Sequence, residues 1–218
     1  MEKLSRVDRM VTIPVDIEND FTSGGALPVP HGEEVILPMN NLVDFTTPER
    51  GIVAATQENH KAPSQDQVFQ HFVLWGEHGV EKTWGAAFHP DLELGDNAVI
   101  IRKGMGQTDG YSGFEGISDR GQTLESLITP THKEHVAVLI GGLATEYCVL
   151  NTVLDAMKLA EKVRRSRLGN VTVYAIADAM RAVNINEDDG YKAIQTMKKA
   201  GAIFVNSEDV INGRVFEI

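Results

Sequence analysis

The chain has 218 residues, 42% of them hydrophobic, enough to bury a sizeable core as one domain. A formal net charge of -11 argues against a nucleic-acid or anionic-membrane partner, because binding to phosphates is driven by concentrated Lys and Arg. One cysteine rules out an intrachain disulfide and fits a reducing compartment; the first ten residues carry no signal-like apolar stretch and no run reaches the ~20 apolar residues of a membrane span, so a cytoplasmic protein is expected.

Residues 10–16 (MVTIPVD) read as a strand ending in the acidic cluster Asp16-Ile17-Glu18-Asn19-Asp20-Phe21. A Gly/Pro loop follows at 24–30. Val35, Ile36, Met39, Leu42 and Val43 then recur at helical spacing, predicting a helix over 33–45 with Pro48 marking its end. The second strand is 51–56 (GIVAAT).

The stretch 57–97 has no clear periodicity and holds four of the seven histidines, His60, His71, His78 and His89. Long irregular segments inside compact domains are usually functional or disordered. Phe69, Phe72, Trp75, Trp84 and Phe88 offer apolar area to bury, so an ordered insertion covering the active site is expected. A third strand at 98–102 (AVIIR) leads to Lys103 and a glycine-rich loop reaching Gly116. Its Gly104, Gly106 and Gly110 have GxGxxxG spacing rather than the dinucleotide fingerprint, and a sharp turn or a loop hugging a ligand explains them better.

A short helix at 124–128 precedes the apolar strand 136–141, which runs directly into GLATEYC at 142–148 and a helix. Lys158, Lys162, Arg164, Arg165 and Arg167 fall in the last turns of that helix, where cations suit the macrodipole and a solvated face accounts for them. A fifth strand (171–177), a helix (190–200) and a sixth strand (202–205) complete the chain. Strands that alternate with helices and read as unbroken apolar runs imply a single-domain three-layer α/β/α fold around a six-stranded, mostly parallel sheet.

Ligands of such sheets bind outside the carboxyl ends of the strands. Asp16 ends the first strand, Glu58 and His60 follow the second, Lys103 the third and Cys148 the fourth. Cys148 at a helix amino terminus is placed for an anionic nucleophile whose pKa falls when a cation helps. Position alone also leaves open a small buried hydrophobe. With Asp16 as proton shuttle, Lys103 as charge partner and the N–H groups of Ala144 and Cys148 as oxyanion hole, the set supports acyl transfer through a thioester. Glu58-x-His60 with His78 offers a carboxylate and two imidazoles, a donor set for a borderline metal, although solvated or structural histidines fit the spacing as well.

Several segments, taken in order, resemble the nicotinamidases of the isochorismatase-like cysteine hydrolases. DIENDF at 16–21 is similar to that family's DxQNDF, with Glu18 in the glutamine place. WGEHGV at 75–80 and FHPDL at 88–92 resemble WPxHCV and FHPDL; RKG at 102–104 and YSGFEG at 111–116 resemble pieces of the same names; GLATEYCV at 142–149 resembles GxATDxCV. The resemblance implies an amidohydrolase that converts nicotinamide to nicotinate and ammonia in NAD salvage. It implies Cys148 as nucleophile, Asp16 as shuttle and Lys103 as third triad member, with a cis peptide at Leu143-Ala144 aiming the oxyanion-hole donors. Phe21 and Trp75 would hold the pyridine ring. Glu58, His60 and His78 would hold a divalent metal, zinc before iron or manganese, with Asp66 or His71 as a fourth ligand. Homo-oligomers occur in the resembling family. Glu58 in place of the usual aspartate, Asn59 in place of tryptophan and Gly76 in place of proline point to a reshaped pocket. They also keep a rival reading in view: a metal-independent cysteine amidase of the same fold acting on another small amide or carbamoyl compound.

Overall fold

Runs of β-branched and small apolar residues without a polar break favour strands covered on both faces. In the structure, a computed structural model describing residues 6–47, 51–63, 70–106 and 110–218, they form β1 (Arg9–Val15), β2 (Ile52–Glu58), β3 (Val99–Lys103), β4 (His135–Leu143), β5 (Asn170–Arg181) and β6 (Ile203–Val205). The sheet order is β3-β2-β1-β4-β5-β6 and every neighbouring pair is parallel. The sheet is thus wholly rather than mostly parallel, because each strand is followed by a crossover that returns the chain to the same end.

Alternation along β1 and β4 divides the core into two layers. Val11, Ile13, Val15, Val136, Val138 and Ile140 pack with Val153, Ala156 and Leu159 of helix α4 (Leu150–Ser166) and Met197 of α5 (Asp189–Ala200). Met10, Ala137 and Leu139 face the other way, onto Met39 and Leu42 of α1 (Ile36–Thr46) and Val210 of α6 (Ser207–Ile211). Two shorter helices, α2 (Gln70–Trp75) and α3 (Leu124–Ile128), lie in the connections around β3. Among the described residues no helix is long and apolar enough to cross a membrane.

Several elements differ in extent from the periodicity reading. The first helix enters through a 3-10 turn, Gly32–Val35, and becomes regular at Ile36. That start puts Pro38 in the first helical turn, where its missing N–H has no intrahelical partner to lose. Strand β2 continues through Gln57 to Glu58, so Glu58 sits in the ladder beside Lys103 and not in the loop beyond. Strand β5 runs four residues past its apolar core, because Met180 and Arg181 pair with Gly142 and Leu143 beyond a register shift. Within 57–97 the structure describes the end of β2 and the short α2, whose six residues are too few to show a helical period. Pro48, Asp66 and Phe69 lie outside the described residues, as does the side chain of His71.

The order of strands reverses between β1 and β4, where the sheet grows outward in both directions. A crevice opens at such a switch point, at the carboxyl ends.

Candidate active site

Three strand ends and one turn meet in that crevice. Asp16 leaves β1 with φ 48, a left-handed conformation that aspartate tolerates better than most residues. Thr56, at the facing position of β2, ties it down: the Asp16 N–H donates to Thr56 Oγ1 at 3.2 Å, and that hydroxyl donates to Asp16 Oδ1 at 2.6 Å. Lys103 ends β3 and turns its ammonium inward, 2.9 Å from Asp16 Oδ2, in contact with Glu58 Oε1 and 3.5 Å from Cys148 Sγ. Cys148 Sγ lies 3.9 Å from Glu58 Oε1. Relative exposures are 0% for Asp16, 1% for Lys103, 3% for Glu58 and 7% for Cys148.

The helix after β4 does not begin at once. The strand runs to Leu143, the Leu143-Ala144 peptide is cis, and Thr145–Val149 form a π-helical turn before α4 starts at Leu150. Cys148 therefore projects from a wide turn at the pocket floor.

The electrostatics correct one expectation. Burial pushes the Cys148 thiol well above its ordinary value, and the carboxylates of Asp16 and Glu58 add to this against the pull of Lys103. The helix end and a single cation do not outweigh that desolvation, so the resting sulfur is a thiol rather than the low-pKa thiolate the placement suggested. Burial likewise raises Asp16, opposed by Lys103. A carboxyl with raised affinity for protons beside a neutral thiol is suited to proton exchange between them. Lys103 stays cationic: burial works against its charge, but Asp16, Cys148 and Glu58 raise it well above the usual lysine value.

Glu58 belongs to two groups at once. Its Oε1 meets Lys103 and its Oε2 meets His60 Nε2. Although burial opposes its charge, Lys103 and His60 hold its pKa down at about 2. Glu58, His60 and His78 each bring a ligand atom to one place, all within 4.8 Å of one another. Each imidazole turns Nδ1 to a backbone carbonyl, His60 to Gly104 O at 2.7 Å and His78 to Gly76 O at 2.9 Å. A carbonyl can only accept, so Nδ1 of each ring carries a proton; at His78 this leaves the Nε2 lone pair for a metal, whereas His60 turns its Nε2 to Glu58 Oε2. Burial lowers the pKa of His78 and so favours the neutral, ligating form. Glycines shape the wall: a Cβ on Gly104 (φ +70) would come to 2.4 Å from His60 Cε1, and one on Gly79 (φ +55) to 2.6 Å from Glu58 Cβ. One carboxylate and two imidazoles in a buried, glycine-walled recess fit a divalent metal.

Above the floor the pocket is aromatic and apolar, lined by Phe21 and Trp75 together with Leu27, Val29, Tyr111, Leu143, Tyr147 and Val183. Trp75 donates Nε1–H to Tyr111 Oη at 3.1 Å and stands edge-on to Tyr147, ring centroids 5.0 Å apart. Phe21 meets His78 edge-on at 5.9 Å.

The structure brings Asp16, Lys103, Cys148, Ala144, Phe21, Trp75, Glu58 and His78 onto one pocket or its floor, with His60 directly behind Glu58. Sequence reasoning missed Tyr111, Tyr147, Val183 and Thr56 as parts of the site. Thr56 carried a usable signal, a polar residue at a strand's carboxyl end; Val183 carried none. It also passed over Glu18, which is fully buried. Glu18 Oε1 accepts the Glu58 backbone N–H at 2.6 Å, while Oε2 has no hydrogen-bond partner among the described residues. Burial, reinforced by Asp16, pushes the Glu18 carboxyl well above the usual range.

A family profile described as an isochorismatase domain matches residues 10–209. The chain belongs to the isochorismatase family. It is 32% identical over 212 residues to the nicotinamidase of Escherichia coli (strain K12), across 89% of this chain and 93% of that protein. Among solved structures it is similar to the pyrazinamidase of Pyrococcus horikoshii in complex with zinc, at 31% identity and TM-score 0.70, covering 90% of this chain and 98% of that one. It is also similar to PnC1 from L. infantum in complex with nicotinate, at 28% identity and TM-score 0.71, covering 94% and 97%.

Proposed function

We propose that the protein hydrolyses nicotinamide to nicotinate and ammonia through a Cys148 thioester. The observation that carries this reading is the Lys103 ammonium, shared by Asp16, Glu58 and Cys148 at the floor of an aromatic pocket. Its relatives' names supply the substrate, since those proteins are nicotinamidases or bind nicotinate.

In this mechanism the Cys148 thiol gives its proton to Asp16 as sulfur attacks the carboxamide carbon. The backbone N–H groups of Ala144 and Cys148 hold the oxyanion, each such donor being worth roughly 10²–10³ in rate. Asp16 returns the proton to the departing nitrogen, ammonia leaves, and an acyl thioester remains on Cys148. Asp16 then takes a proton from the attacking water; nicotinate leaves and the thiol is restored. Lys103 stays charged and offsets the negative charge on Asp16 and on sulfur as the proton moves. Phe21 and Trp75 hold the ring by its faces and edge.

Glu58, His60 and His78 would hold the divalent metal, for which the zinc complex of the P. horikoshii relative makes zinc the first choice. Bound there, it would act as a Lewis acid toward the ring nitrogen or a water. One observation favours the rival, metal-independent amidase: Glu58 already spends one oxygen on Lys103 and turns the other to His60.

Ammonia release from nicotinamide is the decisive assay, run before and after chelation and with zinc, iron or manganese returned. Activity that disappears on chelation and returns with metal supports the reading; activity indifferent to chelation keeps the substrate and removes the metal from the mechanism; no release under any condition overturns it and moves the reading to another small amide.

A further inference from the structure

The turn that carries the nucleophile also carries an anchor. Glu146 lies two residues before Cys148 and points away from the catalytic floor, toward the loop that follows β5. Its Oε1 accepts the backbone N–H of Asn184 at 2.7 Å and its Oε2 that of Val183 at 3.2 Å. A carboxylate taking two successive backbone N–H groups is a two-point, charge-assisted clamp, which fixes direction as well as distance.

The clamped loop has a few other ties, among them Asn186 to Asp189 and the packing of Val183 against the core layer of α1. Arg181, at the close of β5, reaches Glu34 beside α1 with contacts of 2.7 and 3.0 Å. Asn184, left-handed at φ 53, accepts the Gly190 N–H of α5 on its Oδ1 at 2.8 Å. Between these ties Val183 turns its side chain to the pocket that Cys148 and Tyr147 also line. Asn184 and the four residues after it are exposed, so packing holds the loop at Val183 and not beyond it.

We propose that Glu146 is a positioning residue that holds Val183 against the pocket and thereby sets how large an aromatic amide ring the site admits. The Val183 wall is then coupled to the nucleophile through a single turn: Glu146 fixes the wall, Tyr147 supplies the neighbouring ring and Cys148 the sulfur. The size limit rests on the function proposed above; the clamp itself does not.

The test compares wild type with Glu146→Gln, Glu146→Ala and Val183→Ala on nicotinamide and on the wider quinoline-3-carboxamide, with amide hydrogen exchange at 183 and 184. Glu146→Ala is expected to raise KM for nicotinamide about tenfold with kcat changed far less. Glu146→Gln, which keeps one acceptor, should fall between it and wild type. Val183→Ala should shift kcat/KM toward quinoline-3-carboxamide by about tenfold or more, the scale set by removing methyl-sized bulk from a pocket wall. Exchange at 183 and 184 should quicken in Glu146→Ala while amides of β4 stay protected. Wild-type KM and selectivity in all three variants, or a uniform loss of kcat on both substrates, would overturn the proposal. If wild type releases no ammonia from nicotinamide, the proposed function fails on its own, and unchanged exchange at 183 and 184 in Glu146→Ala would then overturn the clamp.

Discussion

Two glutamates, one buried at the pocket and one on an exposed helix face, share one electrostatic signature. Glu58 at the pocket floor and Glu161 near the end of α4 both have pKa values held down at about 2, the first by Lys103 and His60, the second by Arg164 and Arg165. Glu161 is bound by Arg164 and Arg165, each at 2.7 Å, on an exposed helix face. Glu58 has its cation, Lys103, under full burial, and that cation also serves Asp16 and Cys148. The comparison teaches that a depressed carboxylate pKa does not by itself mark a working site or a stabilising one. Around Glu161 water and salt screen the pairs, and holding long side chains in place costs entropy. Around Glu58 the charges are buried and weakly screened, so each depends on the others.

Breaking the two clusters should separate them, and the largest effect lies in the chemistry. Cys148→Ala removes a neutral thiol and leaves every charge paired. Its ammonia release is expected to fall about 10⁴-fold or more, with unfolding free energy in urea changed by less than about 1.5 kcal/mol. A large loss of stability in that variant would mean that the sulfur is mainly a packing atom. Lys103→Met should come next. It leaves Asp16 and Glu58 buried without their cation, and breaking a buried pair from one side costs about 3–5 kcal/mol; urea unfolding measures it, and activity should be lost with it.

Glu18 sharpens the comparison in the other direction, because it is a buried carboxyl with no cation of its own. Its raised pKa means that the folded protein holds a proton which the unfolded chain releases above about pH 4.5. The stability this group supports is therefore retained below that value and lost as pH rises through the raised one. Glu18→Gln keeps an acceptor for the Glu58 N–H and removes the titration. On chelated protein it should raise the melting temperature by a few degrees at pH 7.5 and leave it unchanged at pH 4; an equal shift at both pH values would exclude the charge as the cause. Smallest of all is Glu161→Gln. Despite its formally low pKa it should leave the melting temperature unchanged at neutral pH, in low salt and in high, and a clear drop would show that the exposed pairs are less screened than their surroundings imply.

Much of the fold was legible in the sequence because strand character and strand ends are local properties. The apolar runs at 10–15, 52–55 and 136–141 declare buried strands, and a parallel sheet puts whatever follows them on one edge. That is why Asp16, Lys103 and Cys148 could be placed together before any contact was known. Histidine spacing left the metal question open, and the structure adds to it the two backbone carbonyls that orient the rings, which no local pattern announces.

What the sequence determined by itself was the order of the elements and the edge at which the reactive groups gather. Both follow from period and polarity along one segment at a time. Only the tertiary structure decided that Glu58 belongs to the ladder, that one lysine serves two carboxylates and a thiol, that burial outweighs the helix end at Cys148, and that Glu146 holds Val183. Those outcomes depend on register between strands, on desolvation and on contacts between segments tens of residues apart. None of these is a property of any single stretch of chain.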